Sequence, residues 1–509
     1  MSSRVVLLTP ARRFIANRFG LGYQIPLGLV CVGGPLVDAG HTVKLIDNDL
    51  YGWSPRRLVA EIARFKPDSV LLGHTGSTAA HPTCLATARV LRAAFPGLRI
   101  AYGGVYPSYA AESTLQECRA IDVVVRGEAE QTVVELVAAW EEGAPLNGVE
   151  GITWRDGVVI KMNRSRLPIQ NLDAYRPGWE LVDWPGYKLF DLGRSAGIQF
   201  SRGCPLTCTY CGQWLFWKKW RHHSPHNFVG ELTTLVRQYG VKIVWLADEN
   251  FAADREVVQE VLNLLVEADL GLSLNVNMTA ADVVRDADLL PLYKTAGIDY
   301  VVMGVESLKD EVVASVRKNN PFHVSRRAVQ SLRQNKIISL VNIIYGLEDE
   351  SLTTVKAKLK KLYDLDPDIL NAVYLTPDFW TAAGRTADPD NIIQTNQARW
   401  TYRNQVLDTP HLSPNTLFWS VKLTETLFHL RPKALRRLFW GSDGRVRRIL
   451  RSSLAVGFRV VLAEIGEFLF STTFSPRGSL ECWPEAVKLN SHQANPIKTV
   501  SKEIVSPFV

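Results

Sequence analysis

"SRGCPLTCTYCGQWLFW", residues 201–217, places three of the chain's seven cysteines within eight positions. Cys204, Cys208 and Cys211 stand in C-x3-C-x2-C spacing. A structural zinc site wants four ligands, commonly as two separated pairs. No second pair is present: Cys482 is remote, and His222, His223 and His226 fit no zinc spacing. An iron–sulfur cluster held by three thiolates instead leaves one iron without a protein ligand, open to a substrate or cofactor. IQFSRGCP reads as a strand running into the loop. IVWLADENF, YVVMGVES, SLVNIIYGLEDES and NAVYLTPDF follow at intervals suited to strands of a partial (β/α) barrel, with helical stretches between them.

Upstream, residues 4–145 alternate short apolar runs with helical patterns. VVLLTP, TVKLID, SVLLGHT, RIAYGGV and IDVVVRGE read as strands, and PLGLVCVGGPLVDAG, SPRRLVAEIARF, HPTCLATARVLRAAF and AEQTVVELVAAWEEG as helices. Such units predict a doubly wound parallel sheet, an α/β fold placed ahead of the barrel. Ligands of these sheets bind beyond the carboxyl ends of the strands, here at GHTGSTAAH (73–81), GGVYPSY (103–109) and RGEAE (126–130). No G-x-G-x-x-G follows the first strand, which disfavours a nicotinamide dinucleotide. His74 closes the third strand, where it either faces the ligand crevice or hydrogen-bonds to backbone; His81 reads as a capping or surface residue.

The domain expectation is a Rossmann-like unit over 1–145, a linker with a hairpin over 146–195, the barrel over 196–385, and a helical cap and tail over 386–509. GITWRDGVVIKM (151–162) is the hairpin signal, and the Pro- and Trp-rich stretch after it reads as an ordered linker. At 509 residues several domains are expected, and 46% hydrophobic with 21% charged residues describes a folded chain. A net charge of +7 fits an acidic ligand without demanding nucleic acid. No signal peptide or run of ~18 apolar residues is read, and the scattered remaining cysteines point to a reducing cytoplasm. The arginine-rich amphipathic helices between 416 and 470 read as a cap on the barrel in preference to a membrane-binding surface.

CPLTCTYC resembles the cysteine loop of the radical S-adenosylmethionine (SAM) superfamily, with an aromatic before the third cysteine. The resemblance implies a 4Fe–4S cluster on Cys204, Cys208 and Cys211, both metal ligands and catalytic centre, whose open iron chelates SAM. By the same resemblance WLADENF places Asp248, Glu249 and Asn250 near the SAM amino end, and GVES places Glu306 and Ser307 near the ribose or carboxylate. YGLEDES, with Gly346, resembles the family's G-x-P-x-E-T turn, with Glu348 where proline is common. For these polar residues the competing reading is capping of strands and helices. Lys318 reads as either a SAM-proximal cation or a solvated helix charge.

The sheet domain before the barrel makes residues 1–385 similar to the cobalamin-dependent radical SAM enzymes. That implies cobalamin at the strand ends carrying His74, Gly103, Gly104 and Arg126, although the Asp-x-His-x-x-Gly motif is absent and no lower cobalt ligand is named. CGQWLFWKKWRHHSP and YLTPDFW look like the anaerobic oxidative cyclase that acts on magnesium-protoporphyrin monomethyl ester; the N-terminal strand-loop is closer to carbon methylases of the same clan. The aromatic set Trp214, Phe216, Trp217 and Trp220 reads either as a stacking surface for a planar ligand or as core packing. The favoured expectation is methylation of an unactivated carbon in an aromatic or polycyclic intermediate, ahead of oxidative cyclisation. A non-catalytic cobalamin or redox sensor is the alternative of another class. The partners expected are a small-molecule substrate and an external one-electron reductant of flavodoxin or ferredoxin type, with no nucleic acid. Both cofactor mouths are expected to face one shared site.

Overall fold

Two seven-stranded sheets organise the chain, and the computed structural model describes residues 2–11, 17–74, 78–190, 192–441 and 443–470. In the first sheet, β1 (Arg4–Thr9), β2 (Thr42–Asp47), β3 (Ser69–Leu72), β4 (Arg99–Gly103) and β5 (Val123–Val125) run parallel in the order β2-β1-β3-β4-β5. Val- and Leu-rich runs buried on both faces suit a parallel sheet covered by helices. The hairpin β6 (Ile152–Asp156) and β7 (Val159–Met162) adds antiparallel to β5, so the sheet extends through the stretch expected to be linker. Helices Val105–Tyr109 and Ala111–Glu117 occupy the β4–β5 connection, whose first part the sequence suggested as loop.

The bridge after the hairpin is wedged between the two halves. Trp184 stacks on Tyr239 of the barrel helix Pro225–Tyr239, Gly178 N–H donates to Val30 O at 2.8 Å, and Tyr187 Oη donates to Asp47 at 2.8 Å. One continuous core holds Val5 and Leu29 of the first sheet domain together with Trp184, Ile198 and Phe228, so the two domains share buried packing.

The second sheet opens with the short antiparallel β8 (Lys188–Leu189) beside β9 (Gly193–Ile198). A small pair, β10 (Ser201–Arg202) and β11 (Arg221–His222), brackets the cysteine loop. β12 (Ile243–Leu246), β13 (Ser273–Asn277), β14 (Ile298–Glu306), β15 (Ile338–Tyr345) and β16 (Ile369–Tyr374) then continue in parallel order away from β9. Val301, Met303 and Val305 pack into the main core under the surrounding helices, whereas Tyr300, Ile338 and partly buried Val302 meet Ile449 and Leu450. Because side chains alternate across a strand, the long helix Gly444–Phe470 therefore covers the other face of the sheet, near the strand starts. The helical region begins at Pro414; residues 387–413 are mainly short turns, and the expected tail beyond 485 lies outside the described residues.

Candidate functional site

The cysteine loop leaves β9 and is fixed from below by Asp248. Its buried carboxylate accepts Phe200 N–H at 2.8 Å, Ser201 N–H at 2.7 Å and the Ser201 hydroxyl. Asp248 is thus committed to the loop's entry. Burial nevertheless pushes its carboxyl up to about 7, against these hydrogen bonds. Gly203 turns the chain with φ +97°, and a Cβ there would sit 2.4 Å from Lys219 O. Further on, Thr209 N–H donates to Val316 O, Cys211 N–H to Cys208 O and the Trp214 indole to Cys208 O.

Burial raises all three thiols, Cys204 to about 11 and Cys211 to about 12, while the nearby Lys318 charge pulls Cys204 and Cys208 back. The thiols are electrostatic neighbours of one another and of Glu249, which burial and the Asp248 charge push up to about 7. Among the described residues, no three metal-ligating side chains converge on one point. A cubane does not ask for that, since each thiolate binds a different iron. Three thiols on one backbone-braced loop, with no fourth, therefore fit such a cluster, and iron would supply the positive charge that buried thiolates need. The histidines of the zinc alternative are placed elsewhere: His223 pairs with Asp173 at 2.8 Å and His226 is exposed.

Beside the loop, half-buried Tyr210 joins buried Glu306 and Lys318 in a triad. Lys318 Nζ lies 2.6 Å from Glu306 Oε1, which also accepts Tyr210 Oη at 3.0 Å. Lys318 is buried, not solvated, and Glu306 overcomes its burial cost to hold its pKa above the ordinary lysine value. Glu306 adopts φ +66° where the β14–β15 register shifts, a conformation rare for a residue with a side chain. Ser307 Oγ donates to Glu348 at 3.2 Å, and Glu348 pairs with Lys309 and Lys358. The residue standing for the family's proline is thus held in an ion-pair cluster. Gly346, at φ +92°, donates its N–H to Glu350 at 3.3 Å. Asn250 donates from Nδ2 to Asp282 at 2.9 Å, while its buried Oδ1 has no hydrogen-bond partner among the described residues, an acceptor left over in the loop after β12.

On the first sheet, His74 Nε2 lies 2.8 Å from Tyr102 Oη, and His81, buried, is 3.3 Å from the same hydroxyl. Burial drives His81 down to about 3, so it is neutral and stacks on Tyr106 with centroids 4.0 Å apart. At Gly104 an added Cβ would meet only His74 O, at 3.7 Å, and at Gly127 nothing within 4 Å, so the backbone at these strand ends is not packed against a neighbour. A Cβ added at Gly103 would meet Val125 at ordinary contact distance. Arg126 is turned away: its guanidinium donates to Ser165, Ile152 O and Asn163 O and braces the hairpin.

Both sets of strand ends meet. Trp380, beyond β16, stacks on Tyr109 and also lies over Gly212, where a Cβ would come within 2.1 Å of its indole nitrogen. Thr78 donates to Asp378, and Tyr106 Oη to Gln397 at 3.3 Å. Arg202, two residues before Cys204, pairs with Glu130 and Glu128, and Arg221 pairs with Glu128. These contacts put the 103–109 segment and Thr78 of the 73–81 segment against the cysteine-loop side of the barrel. Of the loop aromatics, Trp217 lies over Arg202 and Trp220 donates to Asn250 O, so both serve local packing. Trp380, Tyr109 and the acidic pair Glu128 and Glu130 were not singled out from sequence; the quoted YLTPDFW and RGEAE stretches carried the signal without the pairing.

Residues 198–362 match the Radical SAM superfamily and residues 20–137 the B12 binding domain. The anaerobic magnesium-protoporphyrin IX monomethyl ester cyclase of Synechocystis sp. is 38% identical over 92% of this chain and 94% of its own. An uncharacterized methyltransferase of Pyrococcus horikoshii is 27% identical over 90% of this chain and 99% of its own. The structure of the radical SAM methyltransferase TsrM from Kitasatospora setae, with cobalamin and a 4Fe–4S cluster bound, superposes with a TM-score of 0.67 at 16% identity, over 92% of this chain and 100% of that one. No helix among the described residues is long and apolar enough to cross a membrane.

Proposed function

As a member of the radical SAM superfamily with a B12-binding domain ahead of its barrel, the chain is a cobalamin-dependent radical SAM enzyme, and we propose that it closes a ring oxidatively on a magnesium-porphyrin monomethyl ester. The extent of the likeness supports this reading. An alignment of 467 residues is longer than the cofactor-binding sheet and barrel together, so it extends into the helical region beyond them.

When bound, the cluster, SAM and cobalamin supply one-electron chemistry at unactivated carbon. The chain's own part is to hold, orient and exclude water. In this proposal Cys204, Cys208 and Cys211 hold the cluster, and Glu249, Asn250, Glu306, Ser307 and Gly346 line the SAM side. Asp248 acts on SAM only through the loop it braces. The strand ends with His74, Gly103 and Gly104 receive the corrin, and Arg126 secures the hairpin beneath them. Trp380 and Tyr109 seal the junction against water, as a reactive intermediate requires. The electron comes from a flavodoxin- or ferredoxin-type donor.

Methylation of an aromatic or polycyclic carbon is the second reading, favoured by the Pyrococcus relative matched over 99% of its length. Anaerobically reconstituted protein given the porphyrin ester, SAM and reductant separates the two. A product that has lost hydrogen and gained oxygen, with 5′-deoxyadenosine and no S-adenosylhomocysteine, supports cyclisation. A methylated product with S-adenosylhomocysteine moves the conclusion to methylation, and an unchanged porphyrin under turning-over SAM cleavage rules out this substrate.

A further inference from the structure

The C-terminal helices present apolar stripes to solvent. On Pro414–His429, exposed Trp419, Leu423 and Leu427, followed by Leu430, recur on one helical face while Leu417, Val421 and Phe428 are buried on the other. On Gly444–Phe470, Arg451, Phe458 and Leu462 are exposed opposite buried Ile449, Leu450 and Val456. Phe439 and Trp440 end the helix Pro432–Trp440, with Trp440 76% exposed. The stripes are neighbours: Phe418 stacks on Phe468 at 3.9 Å, and the Arg451 guanidinium lies 5.8 Å from the Phe439 ring centre.

Exposed charge contributed by these helices has one sign. The carboxylates between 414 and 470 are Glu425, Asp443, Glu464 and Glu467. Glu425 and Glu464 are buried on Arg403 and Lys422, Glu467 pairs with Arg399, and Asp443 accepts the N–H of Val446 at a helix start. Lys433, Arg436, Arg448 and Arg451 stay exposed, and none pairs with a carboxylate among the described residues. Exposed aromatics and leucines set among unpaired cations, with no exposed carboxylate on the described residues of these helices, complement an anionic surface that is apolar just beneath its charge.

We propose that this face docks peripherally on an anionic lipid bilayer, with Phe439, Trp440 and Phe458 entering the headgroup boundary and the arginines meeting lipid phosphates. A second copy is a poor occupant, because two such faces would bring like charges together. The helices lie on the bilayer and do not cross it. Such docking would place the enzyme where a poorly water-soluble substrate collects, whichever reaction it carries out.

The full chain is to be sedimented with vesicles of phosphatidylcholine alone or mixed with phosphatidylglycerol. Preference for the mixed vesicles by about tenfold, weakened by salt, is expected. Phe439→Ser with Trp440→Ser, and separately Arg436→Glu with Arg448→Glu, should each abolish that preference while thermal unfolding and cobalamin content stay unchanged. Equal or absent partitioning overturns the proposal. So does a dimer in sedimentation velocity that the same substitutions dissociate, or cross-linking of a photoreactive residue at position 462 to the stretch after 470 with no vesicle binding.

Discussion

Tyr109 and Trp380 stack with ring planes 5° apart and centroids 5.4 Å apart, one from the sheet domain and one from the barrel. Trp380 also covers Gly212, the residue after the last cysteine, so a single indole links the 103–109 segment to the cluster loop. Radical chemistry on a substrate held between two cofactors depends on such a fixed relation, because a small displacement costs rate and admits side reactions.

Trp380→Ala should therefore uncouple the enzyme before it unfolds it. The lost packing is worth about 3–5 kcal/mol at a well-packed site. Product should fall at least ~10-fold while SAM cleavage continues, read as a rising ratio of 5′-deoxyadenosine to product. Gly212→Ala should act in the same direction, since its Cβ must displace the indole. An unchanged ratio in both variants would remove the junction from the mechanism.

The Arg202 pair with Glu130 and Glu128 makes a prediction about acid stability. Burial alone would raise the Glu130 carboxyl, but the Arg202 charge and hydrogen bond more than reverse that and hold it below the usual glutamate value. The stabilisation is fully present above the unfolded pKa of about 4.3 and is lost as pH falls through the lower folded value. Arg202→Met should cost about 3–5 kcal/mol near neutrality by leaving Glu130 buried and unpaired, while Glu128 keeps Arg221. Arg202→Met with Glu130→Gln, which leaves the Arg221–Glu128 pair intact, should recover part of this and show a flatter melting-temperature profile below pH 4.3. Equal acid slopes in wild type and double variant would contradict the assignment.

Much of this architecture was legible because local patterns and global fold agree. Short apolar runs such as VVLLT are buried on both faces as a parallel sheet demands, and the cysteine spacing marks its own loop. The third barrel strand, SLNVN, was not read out, its polar Ser273, Asn275 and Asn277 disguising a run that tertiary packing buries. Side-chain destinations were harder. Arg126 stands in a loop aimed at the ligand side, yet its guanidinium finds carbonyls of a hairpin that pairs with β5 only after the chain folds back. Glu128 and Glu130 find their arginines 72 to 93 positions away, which no periodicity encodes.

Asp248 illustrates the same gap and can be tested. The acidic motif suggests a SAM contact, but the carboxylate binds Phe200 N–H and Ser201 N–H beneath the cysteine loop. Asp248→Ala leaves two buried donors unsatisfied, at about 1–3 kcal/mol each. Iron content and the cluster's visible absorbance should fall, approaching the loss expected of Cys208→Ala. SAM affinity of whatever protein retains a full cluster should be nearly normal. Full iron content with weakened SAM binding would make Asp248 a direct ligand instead.

Lys318 should show the reverse split. It neutralises Glu306 at 2.6 Å, and Glu306 is held by Tyr210 in a left-handed backbone next to the cluster loop. Lys318→Met strands that carboxylate in a buried site, which costs about 3–5 kcal/mol when one partner of a buried pair is removed. The unpaired charge would repel the SAM carboxylate or leave its own position altogether, so calorimetric SAM affinity should drop by about tenfold or more. Iron content should change little, because the loop's braces at Asp248, Val316 and Trp214 remain in place. Adding Glu306→Gln should restore folding stability without restoring SAM affinity, since the neutral amide needs no counter-charge but cannot reproduce the carboxylate's contacts. If the single variant binds SAM normally, the triad is structural and Glu306 lies outside the SAM site.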